Sequence, residues 1–256
     1  MSSPRETGTA AIIPVRVDSQ RLPGKALLDE TGVPLFVHTC EQAARAGCFD
    51  DVLVATDSEE VAAATESLDG VRTVITSDRP RTGSERCAEA AVGLPHKIIV
   101  DIQGDWPEVD PADLRRLVER LAEDPDSDRL CATLSASLSD PEKIADPNVV
   151  KIARGHNGRA LYFSRLPIPY DRAESDRTVL RHIGVYGFTR ATLFRVPDLP
   201  SSGLDESEGL EQLRFLENDI AIQVLDATGD PWGIECRQDY DAFLQRHAQR
   251  ATKTST

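Results

Sequence analysis

Three cations fall within one ten-residue stretch, Arg16-Val-Asp-Ser-Gln-Arg-Leu-Pro-Gly-Lys25, in a chain whose net charge is -14. Such a cluster, set against an acidic background, points to an anion. Guanidinium and ammonium groups neutralise phosphate oxygens, and a glycine such as Gly24 lets backbone approach them closely. The alternative for this stretch is a solvated loop with scattered charge. It carries neither GxxxxGK[ST] nor GxGxxG, so it is neither a P-loop nor a dinucleotide fingerprint.

The loop follows a short apolar run, Ala10 to Val15, that reads as a buried strand. Pro34 to Ala46 has apolar residues at helical spacing, with Gly47 as its stop. Val52 to Thr56 and Val71 to Ile75 read as further strands, and Ser84 to Val92 as a helix. Lys97 to Ile102 is a fourth strand, ending in Gln103-Gly-Asp105, and Asp110-Pro111 opens the next helix. This alternation predicts a parallel, doubly wound α/β sheet, in which ligands bind beyond the carboxyl ends of the strands. The loops after the first and fourth strands are therefore the places to look for chemistry.

The second half reads differently. Strands are expected at Ala132–Leu138, Val149–Ala153, Ala160–Phe163 and His182–Phe188, with fewer helices between them and an antiparallel or mixed arrangement. Leu210–Leu216 reads as a helix, and a terminal helix is expected from Arg237 to the mid-240s. Residues 1–8 and 252–256 read as loose ends.

Composition limits the function classes. Lys plus Arg total 29 against 43 Asp plus Glu. A non-specific nucleic-acid binder needs a cationic surface, so that class is disfavoured. The five cysteines are odd in number and have no CxxC spacing, which reads as free thiols in a reducing compartment. The start of the chain is polar and lacks a signal-peptide core, and no apolar run approaches the ~20 residues of a membrane span. The expectation is a cytoplasmic protein without membrane insertion. A length of 256 residues allows one large domain or two small ones.

The order of short motifs carries a resemblance. Ile12-Ile-Pro-Val-Arg16 with Arg21-Leu-Pro-Gly-Lys25 is followed by Val54-Ala-Thr-Asp57, Thr82-Gly-Ser-Glu-Arg86 and Ile102-Gln-Gly-Asp-Trp-Pro107. Then come Pro147-Asn-Val-Val-Lys151, Ala160-Leu-Tyr-Phe-Ser-Arg165, His182-Ile-Gly-Val-Tyr186 and Leu210-Glu-Gln-Leu-Arg214. From about residue 11 to 245 the chain resembles the sugar-acid cytidylyltransferases, and within them the 3-deoxy-manno-octulosonate (KDO) branch. The resemblance implies a Rossmann-like nucleotidyltransferase fold: a mostly parallel central sheet flanked by helices, with a smaller mixed or antiparallel region for sugar binding and dimerisation. It divides the chain into a CTP-binding portion at 9–130, a sugar-acid-binding and dimerisation portion at 131–205, and a return to the core sheet with the terminal helix at 206–250, all in one compact domain.

The implied reaction transfers CMP from CTP to the anomeric hydroxyl of KDO, releases pyrophosphate and serves lipopolysaccharide synthesis. Arg16, Lys25 and Asp105 are the implied catalytic residues. Arg16, Ser19, Arg21 and Lys25 would hold the triphosphate, while Thr82, Ser84, Arg86 and Gln103 would frame the nucleotide. Arg86 equally suits an ion pair with Glu85 or Glu89, and Gln103 a turn. Arg165, His182, Tyr186, Glu211 and Gln212 are the implied sugar-acid residues. Asp105 and Glu235 are the implied Mg²⁺ ligands, since this hard cation takes one or two carboxylates plus phosphate oxygens. The alternative readings are a turn cap for Asp105 and a cap or flank of the terminal helix for Glu235. A homodimer is also implied.

Three positions depart from the family pattern. Glu235 stands where an aspartate is usual, one methylene longer. Trp106 replaces the usual acid after Asp105, and Val15 replaces an alanine. These departures leave two alternatives, a cytidylyltransferase for another 2-keto sugar acid and a degenerate CTP-binding regulatory paralogue.

Overall fold

A computed structural model describes residues 8–19, 21–172, 178–201 and 203–254. Of the expected loose ends at 1–8 and 252–256, residues 1–7 and 255–256 lie outside the described residues, whereas 252–254 are not loose but belong to the terminal helix. The strands are β1 (Thr9–Pro14), β2 (Asp51–Thr56), β3 (Val71–Ile75), β4 (Ile98–Ile102), β5 (Leu130–Leu138), β6 (Lys151–Arg154), β7 (Ala160–Ser164), β8 (Val179–Thr189) and β9 (Ala221–Asp226). The α-helices are α1 (Leu35–Ala46), α2 (Glu59–Thr65), α3 (Gly83–Ala90), α4 (Pro111–Leu121), α5 (Pro141–Ala145), α6 (Arg190–Arg195), α7 (Gly203–Glu208), α8 (Glu211–Glu217) and α9 (Arg237–Thr254).

All nine strands join one sheet, in the order β3-β2-β1-β4-β8-β5-β9, with the β6–β7 pair hung on β8. β1 pairs in parallel with both β2 and β4, and β5 with β9. β8 is antiparallel to its neighbours β4 and β5, so along this path it alone runs against the others. The expected mostly parallel sheet is present, with the mixed part in the second half.

Alternation along the strands explains why helices cover both faces. Ala11, Ile13, Val52 and Val54 point to a core shared with Phe36 and Cys40 of α1 and Leu114, Leu117 and Leu121 of α4. Ile12, Leu53 and Ala55 point to the opposite core, with Cys87 and Ala88 of α3 and Leu213 and Phe215 of α8. β1 is buried at every position, as a central parallel strand must be. Each fully buried Leu, Ile or Phe in these cores contributes about 1.5–3 kcal/mol.

The caps follow local sequence. Thr82 and Asp110 accept hydrogen bonds from Glu85 N and Ala112 N at the starts of α3 and α4. Between β5 and β8 the described residues hold one short helix, α5, in keeping with the few helices expected there, and α8 lies where a helix was expected. The six-residue α6 and α7 were not expected, being too short for a clear 3.6-residue periodicity. The expectation for the terminal helix needs correction: it runs past the mid-240s, to Thr254. Its second half is held by the carboxylate of Glu108, which pairs with Arg246 at 2.6 Å and Arg250 at 2.9 Å.

β1 has its sequence-adjacent partner β2 on one side and β4 on the other, so the strand order reverses there. The loops leaving the carboxyl ends of β1 and β4 meet at this switch point, where open α/β sheets bind ligands.

Candidate active site

The β1 loop turns back on itself through Gly24, whose φ of 67° is in the left-handed region and precedes a single 3-10 turn at Lys25–Leu27. That turn aims Lys25 at the end of β4. Its Nζ donates to Asp105 Oδ2 at 2.6 Å and to Ile234 O at 2.8 Å. Arg16 points the other way. It donates to the carbonyls of Pro80, Arg81 and Thr82 just before α3, and burial, then the nearby Arg86 charge, lowers its pKa. Ser19 Oγ accepts from Leu22 N, so it shapes the turn.

Between these groups lies a cavity of about 250 Å³, walled by Arg16, Ser19, Lys25, Thr82, Gln103 and Asp105 among others. A second cavity of about 600 Å³ adjoins it across Gln103 and Asp105, which line both. Its walls include Arg21, His182 and Glu235. Arg21 donates to Asn148 Oδ1 at 3.2 Å and its guanidinium abuts Glu235.

Glu235 enters this cavity because the 230s loop is pinned to β4: Ile234 N donates to Asp105 O at 2.9 Å. It is not the helix cap. Asp239 Oδ2 accepts from Glu235 N at 3.0 Å and Cys236 N at 2.9 Å, which leaves the Glu235 carboxylate free of that duty. Burial raises the Glu235 pKa, and Asp105 adds to the rise while Arg21 opposes it. The buried Glu235 Oε2 is the atom that faces the Arg21 guanidinium, as an ion pair. Among the described residues there is no group of three or more His, Cys, Asp or Glu side chains that could hold a metal. The donors on offer are therefore two carboxylates facing one cavity, the set Mg²⁺ takes when phosphate oxygens and water complete its shell.

Other expected residues lie behind the walls of these two cavities. Arg86 is buried and pairs with Asp57 at 2.9 Å, so its ion-pair partner is neither Glu85 nor Glu89. Ser84 donates to Asp101 Oδ2 at 3.1 Å. Glu211 accepts from Thr82 Oγ1 at 2.5 Å and ties α8 to the start of α3; Gln212 beside it is buried. Arg165 donates to the carbonyls of Glu208, Pro147 and Gly209. The Tyr186 hydroxyl is buried without a partner, and its ring lies 5.2 Å from that of His182.

His182 is held by Thr133 Oγ1 at 3.1 Å, and burial, helped by the adjacent Arg181 charge, lowers its pKa to about 3. The imidazole is therefore neutral throughout the range in which histidine usually titrates. Its Hε1 NMR resonance is expected to stay still between about pH 5 and 8. A sigmoidal shift centred near pH 6.5 would contradict this environment.

Sequence reasoning missed several groups. Trp232 stacks between Lys143 Nζ, 3.9 Å from the ring centre, and the Arg181 guanidinium at 4.1 Å, at the edge of the larger cavity. Lys151, quoted only as a motif letter, is fully buried and donates to the carbonyls of Asp146, Val149 and Arg165, fixing the segment that presents Asn148 to Arg21. No local pattern marks either role, because each depends on partners distant in sequence.

Asp101 was also missed. Burial, and then the Glu211 charge, raises its pKa from 3.8 to about 7. The folded state thus binds more protons than the unfolded chain between those values, and stability falls as pH rises through that window. Asp101→Asn is expected to remove this slope and to stabilise the protein at about pH 8 by at least about 1 kcal/mol, or about 2–4 °C in Tm. Ser84 Oγ can then turn from donor to acceptor. Melting curves at about pH 5 and pH 8 check it; an equal or lower Tm for the variant at the higher pH would contradict it.

Comparison with known proteins adds the following. A family model described as cytidylyltransferase matches residues 10–222. The chain is 42% identical over 245 residues to a 3-deoxy-manno-octulosonate cytidylyltransferase of Chlorobium limicola, covering 93% of this chain and 98% of the relative. It is 44% identical to the protein of the same name from Chlorobium phaeobacteroides, covering 92% and 94%. Among solved structures it is similar to a CMP:2-keto-3-deoxy-manno-octonic acid synthetase complexed with CTP, with a TM-score of 0.86, 32% identity, and 96% and 99% of the two chains covered.

Proposed function

From the premise that this chain belongs to the 3-deoxy-manno-octulosonate cytidylyltransferase family, we propose that it transfers CMP from CTP to the anomeric hydroxyl of that sugar acid. The observation that carries the reading is the pair of adjoining cavities sharing Gln103 and Asp105, with Arg16 and Lys25 in the smaller and Arg21, His182 and Glu235 in the larger. A nucleotide fits the first and an acceptor the second, with the reacting atoms at the shared wall. That the solved relative is described as complexed with CTP supports CTP as the nucleotide used.

In the reaction, the anomeric oxygen forms a bond to the α-phosphorus of CTP. The bond from that phosphorus to the oxygen bridging to the β-phosphate breaks. Pyrophosphate carries away the electron pair, and the hydroxyl proton is released. Positioning and charge neutralisation dominate such transfers. Arg16 and Lys25 neutralise the triphosphate, and Gln103 and Thr82 orient the nucleoside. Neutral His182 offers a hydrogen bond to a sugar hydroxyl without adding charge. Asp105 and Glu235 would hold Mg²⁺, which when bound supplies positive charge against the developing pyrophosphate.

The same reading assigns residues 9–130 to the nucleotide, 131–205 to the acceptor and dimer contact, and 206–250 to the returning core. A homodimer is supported by exposed Leu161, Leu166 and Tyr170, which are 65%, 70% and 87% accessible in and just after β7. Five free cysteines support a reducing compartment such as the cytoplasm, where the product would feed lipopolysaccharide synthesis. No described helix is long and apolar enough to cross a membrane.

The product identifies the reaction. ³¹P and ¹³C NMR of a mixture of protein, CTP, Mg²⁺ and KDO is expected to show a phosphodiester on the anomeric carbon alongside pyrophosphate. Free phosphate with unmodified sugar would overturn the proposal.

A further inference from the structure

One wall of the larger cavity has no part in the steps above. Trp106 follows Asp105 directly, and its partly buried indole faces the cavity. Two glycines that line the same cavity leave little room for a side chain beside it. A Cβ on Gly184 would lie 3.0 Å from Nε1, and one on Gly233 would lie 3.1 Å from Cε2 and Cζ2. Gly184 is on β8 two residues after His182, and Gly233 lies two residues before Glu235. The ring is thus seated in a slot between the strand that carries His182 and the loop that carries Glu235. Its Nε1 makes no hydrogen bond among the described residues, whereas Trp232 Nε1 donates to Asp230 at 3.0 Å. Shape alone holds the Trp106 indole.

We propose that Trp106 is a specificity-determining residue: seated against Gly184 and Gly233, its indole fixes the size of the acceptor site and excludes sugar acids that carry extra bulk on that side. This rests on reading the larger cavity as the acceptor site. A rigid aromatic ring has two side-chain torsions, and the Nε1–Cζ2 edge of this one packs close to both glycines, which leaves it little room to shift toward them. An acid larger than the eight-carbon frame, such as the nine-carbon, N-acetylated neuraminic acid, must then displace the ring or leave contacts unmade. The site carries no compensating charge at this position, because an indole stands there.

Calorimetric titration of the wild type, Trp106→Phe and Trp106→Ala with KDO, with N-acetylneuraminate and with CTP tests this without turnover. The wild type is expected to bind KDO at least about tenfold more tightly than N-acetylneuraminate. Trp106→Ala is expected to narrow that ratio by about tenfold, chiefly by improving the larger acid, and Trp106→Phe to lie between. CTP affinity is expected to stay within about twofold in all three. If Trp106→Ala loses its melting transition or its CTP binding, Trp106→Leu takes its place in the same comparison. An unchanged ratio in the truncated variant overturns the proposal, as does a wild type that binds the two acids equally. A wild type that binds KDO selectively but forms no CMP-sugar defeats the transferase reading and leaves this one standing. Binding of neither acid defeats the cavity's assignment and this proposal with it.

Discussion

Lys25→Ala is expected to lower kcat/KM for CTP by roughly 30- to 5,000-fold, the range set by losing about 2–5 kcal/mol from a buried charged hydrogen-bond partner. The Lys25 ammonium touches both the segment after β4 and the 230s loop, through Asp105 Oδ2 and Ile234 O. Its side chain is only 17% accessible and that of Asp105 28%, so neither charge is well screened by water. Removing the ammonium strips a cation from the triphosphate cavity and leaves the Asp105 carboxylate facing Glu235 without it. Lys25→Arg is not expected to restore the rate, because a planar guanidinium does not fit the place of a compact ammonium. Steady-state kinetics on variants with wild-type circular dichroism check this. A Lys25→Ala protein that uses CTP like the parent removes the residue from the site.

The second large effect concerns the carboxylates. Asp105→Asn and Glu235→Gln are each expected to reduce pyrophosphate release by at least about 100-fold at saturating Mg²⁺, since a neutral amide is a poor ligand for a hard cation. The fold should survive both changes. Asp105 O, the backbone acceptor that pins Ile234, is untouched, and Asp239 continues to accept from Glu235 N and Cys236 N. Glu235→Asp draws the carboxylate back by one methylene. It is expected to shift the Mg²⁺ concentration that gives half-maximal rate, because octahedral coordination at about 2.0–2.1 Å does not tolerate a displaced oxygen. Titrating Mg²⁺ against pyrophosphate release for the parent and the Glu235 variants decides this. Superimposable curves would return Glu235 to the role of a helix flank.

The sequence revealed the parallel half of the fold because β1, β2 and β4 are mostly apolar runs, and because α2, α3 and α4 open on side-chain caps while α1 is bounded by Pro34 and Gly47. Ala10–Val15 differs from β1 by one residue at each end, and Lys97–Ile102 differs from β4 by one residue at its start. β9 was missed although Ile222 and Val224 alternate inward, since Leu225 and Ala221 blur the period. The three-cation loop was legible as an anion site from charge alone. What each cation touches was not: Arg16 reaches carbonyls 64 to 66 residues away, and Lys25 reaches one 209 residues away. Ser84, Arg86 and Arg165 show the limit most clearly. Their motif positions suggest ligand contact, but the folded chain engages them with Asp101, with Asp57 and with the carbonyls of Pro147, Glu208 and Gly209. The seat of Trp106 depends on two glycines 78 and 127 positions further along, and no window on the sequence brings those together.

The most direct measurement is the initial rate of pyrophosphate release from CTP and Mg²⁺ with KDO, with N-acetylneuraminate and with no acceptor. Release is expected with KDO, at a rate that saturates in both substrates, and at no more than background without an acceptor. No release with KDO, or release that does not depend on an acceptor, would contradict the assignment of the paired cavities to cytidylyl transfer.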